Sequence, residues 1–241
     1  MNITVINGTP VKGVTYHMKN MFLEHFDKNV TITEFYPEDM PDLCVGCKNC
    51  FMKGEALCPH KDKTMPVWES FLKADLIVFA YPVYALRAPA SIKTLLDHLC
   101  VHWMVHRPKK EMFSKTVAII TNSVGAPNGA AQKDVKTSFS WMGVSRIYTC
   151  GAGMMGDIFW DKITAKSLKM LRKKTKRLYK KVHNIKPLRR MRLKEAVRFM
   201  ACKMIHKATL KNEDTPSLDN QHYIEHGWIK AKPANSKSWR S

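Results

Sequence analysis

The sequence lacks an apolar stretch long enough to cross a bilayer. Its longest apolar run, Leu76 to Leu86, is interrupted by Pro82, and a membrane-spanning helix needs about 20 apolar residues. The first residues run directly into an apolar alternation instead of the basic region and apolar stretch of a secretory signal. We therefore expect a soluble, cytoplasmic protein.

Acidic residues are scarce in one part of the chain. Residues 166–211 contain 18 Lys and Arg but a single acid, Glu195, whereas residues 1–165 contain 18 basic and 15 acidic residues. The net charge of +20 therefore comes mostly from one segment. That segment lacks the aromatic-basic interleaving of nucleic-acid modules, which argues against nucleic acid. A solvated helix face, an anionic membrane surface (peripheral association through 166–211) and an acidic redox protein stay open as alternatives.

Cysteine is not evenly distributed, since four of seven lie in one short stretch: Cys44, Cys47, Cys50 and Cys58. An odd number excludes complete disulfide pairing within one chain, and clustered cytosolic thiols tend toward metal or redox roles. Three alternatives follow: a [4Fe–4S] cluster held by these four cysteines, a zinc or thiol-redox site, and a loop without metal that braces a neighbouring site.

The other cysteines and a histidine series receive plainer interpretations. Cys100, Cys150 and Cys202 fall in predicted helices or strands and are expected to be small buried hydrophobes. His98, His102 and His106 recur every four residues, which on a helix gives either a metal-binding face or a solvent- or subunit-facing stripe.

Strand and helix patterns alternate along the first two-thirds of the chain. The predicted strands are 2–7, 30–36, 75–81, 116–121 and 145–150. The predicted helices between them are about 14–26, 66–73, 89–104 and 129–142. Five repeats of strand and helix indicate an open α/β sheet, doubly wound with helices on both faces.

The basic segment follows this sheet. A helix at about 157–182 carries Leu168, Leu171, Leu178 and Val182 on one stripe, which is expected to pack on the sheet with lysines outward. Pro187 then interrupts the pattern, and a second basic helix is predicted at about 188–210 with Leu193, Val197, Met200 and Met204 on one side. We expect the polar tail after Asn212, with its isolated aromatic residues, to fold back over the domain.

The first predicted strand ends in NGTPVKGVT, Asn7 to Thr15, at the start of a helix. Such a helix N-terminus offers free N–H groups to an anion, and Lys12 adds a positive charge. The stretch lacks G-x-G-x-x-G, and Val14 stands where a P-loop has lysine, so a dinucleotide or ATPase site is disfavoured. A plain strand-to-helix turn is the alternative interpretation.

Two more loops follow predicted strands at the same edge of the sheet: PVYALRAPASIKTLLD from Pro82 and TNSVGAPNG from Thr121. With NGTPVKGVT, the compact cysteine stretch and KDKTMPVWESFLKADLIVFAYPVY, this order of motifs resembles the flavodoxin-like NAD(P)H-dependent FMN reductases, which include the iron-sulfur flavoproteins. The resemblance covers about residues 1–155. It implies a flavodoxin-like five-stranded parallel sheet of order 2-1-3-4-5 with a basic helical C-terminal extension.

The resemblance also implies an FMN site. The phosphate would be held by the first loop: Thr9, Pro10, Val11, Lys12, Gly13 and Thr15. The ribityl chain and ring would be lined by Pro82, Val83, Tyr84, Ala85 and Leu86, and approached by Thr121, Asn122, Ser123 and Gly125. Two positions depart from the family pattern, because Val14 replaces a common Asn and His98 a frequent Arg.

The predicted function is an FMN-dependent oxidoreductase that passes electrons from NAD(P)H or a protein donor to a small acceptor such as a quinone or nitro-aromatic compound. The flavin carries this chemistry, so no acid-base pair is required. Alternatives are a non-enzymatic electron carrier with a redox protein partner and a flavin-free interaction protein. The expected division is an FMN-binding domain at 1–183 and a basic extension at 184–241, in a homo-oligomer.

Overall fold

The computed structural model describes residues 1–27, 29–156, 159–183 and 191–231. Five parallel strands form one sheet of order β2-β1-β3-β4-β5. They are β1 (Asn2–Asn7), β2 (Thr31–Phe35), β3 (Leu76–Pro82), β4 (Thr116–Ser123) and β5 (Arg146–Gly153). The predicted fold class and strand order are confirmed.

Helices connect the strands and extend beyond the last one. They are α1 (Val14–Leu23), α2 (Asn49–Met52), α3 (Lys61–Lys73), α4 (Ala90–His98), α5 (Gly129–Trp141), α6 (Ala165–Val182), α7 (Leu193–Lys211) and α8 (Leu218–Glu225). Short 3-10 turns lie between several of these helices, including Leu99–His102 directly after α4.

Both faces of the sheet are covered by apolar side chains. One core contains Ile6, Phe71 of α3, Leu95 of α4 and Phe139 of α5. On the opposite face, Met18 of α1 and Leu171 of α6 belong to a second core with Val5 and Val78. Because both faces are buried, the central strands are apolar almost throughout, as parallel sheets require.

Helix α6 fulfils its predicted packing role. Leu171, Leu178 and Val182 are buried against the sheet, while most of the helix's lysines are exposed. Its start differs from the prediction, because α6 begins at Ala165, where Thr164 accepts a hydrogen bond from the N–H of Ser167 as an N-cap. The basic charge of α6 is therefore the outer face of a structural helix.

The helices after α6 form a third core with the sheet domain. Phe199, Cys202 and Leu210 of α7 and Tyr223 of α8 pack with Met104. The sequence prediction did not include α8, whose N-cap Ser217 accepts a hydrogen bond from the N–H of Asn220. Pro187 and the predicted domain boundary lie outside the described residues.

Two other predicted helices also differ from the structure in their boundaries. Helix α3 begins at Lys61, five residues before the predicted start, and Pro66 lies inside it. Helix α4 ends at His98, and a 3-10 turn then redirects the chain, so the predicted helix 89–104 is two elements. Among the residues the structure describes, no helix is both long and apolar enough to span a bilayer.

The side chain of His102 is buried in the turn after α4. Its ring stacks on Trp68 with centroids 3.8 Å apart, and burial lowers its pKa from 6.5 to about 3 despite the opposing charge of Glu55. Below pH 6.5 the unfolded chain binds a proton that the folded chain does not. The free energy of unfolding should therefore fall as the pH falls from about 6.5 toward 3.

We predict that His102→Phe, which keeps an aromatic ring against Trp68, weakens this pH dependence by up to about 1.4 kcal/mol per pH unit. Chemical denaturation of both proteins at several pH values measures the slope. Equal slopes would show that His102 does not titrate as described.

Candidate functional site

Three loops meet at the carboxyl edge of the sheet, and Asn122 joins them. Its side-chain oxygen accepts a hydrogen bond from the hydroxyl of Thr15, in the first loop. Its backbone carbonyl accepts one from the N–H of Val83, 2.8 Å away, in the second loop. The first, second and third loops thus form one continuous surface.

The first loop leads into the N-terminus of α1 without a side-chain cap. Gly13 is the N-cap residue, and the first turn of α1 contains no acidic residue. The first N–H groups of a helix have no partner within the helix, and they lie at the positive end of its dipole. Exposed Lys12 precedes them, so this end of the loop suits a dianion such as a phosphate.

The other first-loop residues shape the turn. The hydroxyl of Thr9 accepts a hydrogen bond from the N–H of Val11 at 3.2 Å, and Pro10 and Val11 are exposed. Thr15 is buried and uses its hydroxyl on Asn122. Gly8 is required by packing, since a Cβ there would lie 2.5 Å from the Cβ of Tyr81.

The second loop is a tight turn beyond Pro82 and Val83. Tyr84 and Arg87 exchange two backbone hydrogen bonds, of 3.1 and 2.8 Å. The two residues between them, Ala85 and Leu86, have φ angles of 46° and 65°, in the left-handed region that side chains disfavour. Such strain clusters at ligand-binding sites.

In the third loop, side-chain hydroxyls point away from solvent. Thr121 is fully buried and accepts a hydrogen bond from the side chain of Gln132, while the Ser123 hydroxyl donates to the carbonyl of Ala126 at 2.5 Å. These two residues therefore offer backbone rather than side-chain groups to a ligand. Gly125 follows them, close to the sulfur of Met155.

Large apolar side chains around these loops are exposed to solvent. They are Val11, Tyr84, Leu86, Val124 and Met155. Grouped exposed apolar residues with a few convergent polar groups are typical of ligand sites. Their arrangement suits a flat apolar ring that carries an anionic tail.

A buried ion pair, which the sequence analysis missed, fixes the strand ends beneath the first loop. The ammonium of Lys19, 1% exposed, lies 2.5 Å from Glu34, which also accepts hydrogen bonds from Asn7 and Tyr36. Burial would raise the pKa of Glu34, but the hydrogen bonds from Lys19 and Asn7 hold it below its ordinary value.

The cysteine loop follows β2 and packs against the far end of α4. Cys58 Sγ lies 3.7 Å from His98 Nδ1, and His98 Nε2 lies 2.9 Å from the carbonyl of Asp42. The other end of α4 contacts the first loop, where Ser91 donates to the carbonyl of Gly8. A nine-residue helix is about 13 Å long, so α4 separates Cys58 from the first loop by roughly its own length.

The four loop thiols differ in exposure. Cys44 and Cys47 are exposed, whereas Cys50 and Cys58 are half-buried. Within 1–27, 29–156, 159–183 and 191–231, no three His, Cys, Asp or Glu side chains are grouped so as to hold a metal ion. The loop therefore contains the donor types of a cluster site without their convergence.

Cys100 belongs to the same neighbourhood. It is half-buried rather than buried, which corrects its interpretation as a buried hydrophobe, and burial and nearby Cys50 and Cys44 raise its pKa to about 11. Burial and the neighbouring Cys58 also raise the pKa of Cys50. Cys150 and Cys202 are buried as predicted.

The predicted histidine stripe does not form one helix face. His98 ends α4 against the cysteine loop, His102 is buried in the following turn, and His106 lies 2.8 Å from Asp219 of α8. The 3-10 turn changes the direction of the chain, so the four-residue spacing places these side chains in three environments.

Arg107 connects the cysteine loop to the C-terminal helices. Its guanidinium donates to the backbone carbonyl of Cys50, to Glu55 at 3.2 Å and to Asp219. Burial would raise the pKa of Glu55, but a backbone hydrogen bond and the charge of Arg107 hold it below its ordinary value. Arg107 is itself only 5% exposed, so α8 and the loop share a buried charge.

The sequence model of the family described as NADPH-dependent FMN reductase matches residues 1–152. The chain belongs to this family. The match includes the three loops and the sheet up to the last residue but one of β5. As a family member, the chain is an NAD(P)H-dependent flavin oxidoreductase with FMN as its cofactor, which confirms the predicted family and enzyme class.

Related proteins carry a second cofactor in their names. An iron-sulfur flavoprotein of Methanocaldococcus jannaschii is 25% identical over 193 residues, which cover 74% of this chain and 96% of that protein. An iron-sulfur flavoprotein of Methanosarcina thermophila is 27% identical over 165 residues, covering 67% and 83%.

Solved structures share the fold at lower identity. An NAD(P)H:quinone oxidoreductase from Methanothermobacter marburgensis has a TM-score of 0.58 at 13% identity and covers 77% of this chain and 98% of its own. An FMN-dependent NADH-azoreductase from Bacillus anthracis in complex with FMN has a TM-score of 0.54 at 15% identity and covers 74% and 100%. At these identities the likeness shows the fold.

The buried contacts of Arg107 generate a prediction about stability. Removing one member of a buried charge network typically costs about 3–5 kcal/mol, because the remaining charges lose their partners. We expect Arg107→Ala to lower the free energy of unfolding by roughly that amount and to increase proteolytic cleavage between Cys44 and Cys58. Chemical denaturation and limited proteolysis measure the two effects.

The matched control is Lys93→Ala, which removes a pair with Asp97 in which both side chains are exposed. Surface pairs contribute about 1 kcal/mol or less. If both variants lost the same stability and loop cleavage did not change, Arg107 would not be holding the loop.

Proposed function

We propose that the chain binds FMN in the cradle of the three loops and transfers electrons from NAD(P)H to a small, flat acceptor such as a quinone or nitro-aromatic compound. The observation that carries this proposal is the junction at Asn122, which brings an uncapped helix N-terminus and a surface of exposed apolar side chains together.

The residues of the cradle fit the cofactor. Lys12 and the N–H groups after Gly13 would hold the phosphate, with Thr9 shaping the turn. Tyr84 and Leu86 would provide the apolar shelf for the ring, and the strained backbone at Ala85 would present its polar groups to the ring edge. When bound, FMN supplies hydride and electron transfer.

The chain's own contribution is binding and orientation. The overall reaction moves a hydride, as two electrons and a proton, from NAD(P)H to the acceptor; a second proton from water completes reduction of a quinone to a quinol. The exposed apolar side chains Val11, Val124 and Met155 favour an apolar acceptor and exclude water where it docks. Because the cofactor performs the transfer, the cradle needs no acid-base side chain.

The phosphate end provides the sharpest test. We expect Lys12→Gln to weaken FMN binding about five-fold, the effect of roughly 1 kcal/mol from one exposed charge pair, and to leave the affinity for riboflavin, which lacks the phosphate, unchanged. Quenching of flavin fluorescence gives both dissociation constants. NAD(P)H consumption with a quinone, measured as the FMN concentration is raised, should reach saturation at a higher FMN concentration in Lys12→Gln than in the unmodified protein.

The control is Lys73→Gln, which changes an exposed lysine at the end of α3, at the opposite edge of the sheet. It should alter neither constant. If Lys12→Gln weakened the binding of FMN and of riboflavin equally, the first loop would not be the binding site of the phosphate. A protein that binds no FMN would refute the proposal.

The cysteine loop supports a second candidate, an electron carrier that docks with a redox protein and holds a [4Fe–4S] cluster. In its favour are four thiols in one loop and relatives named iron-sulfur flavoproteins. Among the described residues the thiols are not grouped as ligands of one metal centre, and we therefore assign no step of the proposed reaction to a cluster.

Iron and acid-labile sulfide, measured in anaerobically purified protein, separate the two candidates together with steady-state turnover. The carrier predicts about four iron and four sulfide per chain and no NAD(P)H consumption with small acceptors alone. The oxidoreductase predicts turnover with a small acceptor whether or not iron is found.

A further inference from the structure

Helix α7 is apolar on two opposite faces. The inner face packs into the third core through Phe199, Cys202 and Leu210. The outer face carries Leu193, Val197, Met200 and Met204, which are 81%, 60%, 58% and 69% exposed. The inner face therefore holds α7 in the fold, whereas the outer face has no partner within the described chain.

The outer residues form one line. Their spacing of four, three and four residues places them on a single side of the helix, and eleven residues of helix extend about 16 Å. We call these four residues, Leu193, Val197, Met200 and Met204, the outer stripe.

Positive charge surrounds the outer stripe. Lys194, Lys207 and Lys211 are exposed on α7, and Lys203 is half-exposed. The one acid of the segment, Glu195, is turned inward, where it accepts a hydrogen bond from Ser140. No carboxylate on α7 therefore neutralises the exposed lysines.

This combination of positive charge and apolar side chains indicates what binds to the outer stripe. A second copy of the chain would bring the same lysines against one another, and like charges at close range disfavour that contact. Basic helices with an apolar face lie on anionic lipid surfaces, where the side chains enter the acyl boundary and the cations contact headgroups. The apolar stems of lysines can also lie along such a boundary while their ammonium groups stay at the headgroups.

We propose that the outer stripe of α7 docks the protein on an anionic lipid surface. The other basic helix, α6, is not part of this surface, because it covers the opposite face of the sheet from α5, which α7 contacts through Glu195 and Ser140. This restricts the membrane alternative, which the sequence assigned to the whole of 166–211, to one face of one helix. Docking there leaves the inner face of α7 in the third core.

Vesicle flotation of the full chain tests the proposal. Vesicles of phosphatidylcholine with phosphatidylglycerol should float the protein, phosphatidylcholine alone should not, and added salt should weaken the association. The double variant Met200→Gln and Met204→Gln should reduce the floated fraction about ten-fold, because it removes apolar area from the stripe. Gln and Met have similar helix propensities, so α7 should remain folded.

Two more variants complete the design. Met52→Gln changes a methionine that is 72% exposed on α2 and should float like the unmodified protein. Lys207→Gln with Lys211→Gln keeps the outer stripe and should weaken flotation on anionic vesicles only. Thermal unfolding of each variant checks that the fold is retained.

Three results would overturn the proposal. The first is an absence of flotation on anionic vesicles, and the second is equal flotation of the unmodified protein and the methionine double variant. The third is a change in oligomeric state caused by the double variant without vesicles, which would assign the stripe to contact between copies. None of these readouts depends on FMN, so they are independent of the proposed reaction.

Discussion

The three loops at the carboxyl edge of the sheet depend on the contacts of Asn122. Its side chain binds Thr15 at the start of α1, and its backbone binds Val83 at the end of β3. Parallel strands bring three loops to one edge, but they do not fix the loops relative to one another. Asn122 supplies that constraint, and the strained turn at Ala85 and Leu86 can persist because its neighbours are held on both sides.

Buried ionic contacts also fix elements of the structure outside the three loops. Lys19 and Glu34 tie α1 to β2 beneath the first loop, and Arg107 ties the cysteine loop to Asp219 of α8. Helix α4 lies between these regions, with Gly8 near one end and Cys58 near the other. The C-terminal extension is thus part of the environment of the cysteines as well as a basic surface.

The sequence was informative where a pattern has a single structural solution. The apolar run of β3 can only be a buried strand here, and the first loop could be placed because it follows such a strand. Periodicity predicted α7, with Leu193, Val197, Met200 and Met204 on one side, but it could not determine which of its two apolar faces is buried, and burial of Phe199 leaves Val197 outside. No local pattern revealed the contacts of Arg107 and Lys19. Arg107 binds residues that are distant in sequence, and Lys19 is buried although lysine is usually exposed.

Hydrogen exchange with and without FMN tests the central claim, that the three loops act as one binding surface, most directly. We predict that FMN slows amide exchange together in residues 9–15, 83–86 and 121–125, while residues 207–211 and 227–231, which line a groove between α7 and the segment after α8, are unaffected. Protection confined to one loop, or centred on that groove, would contradict it.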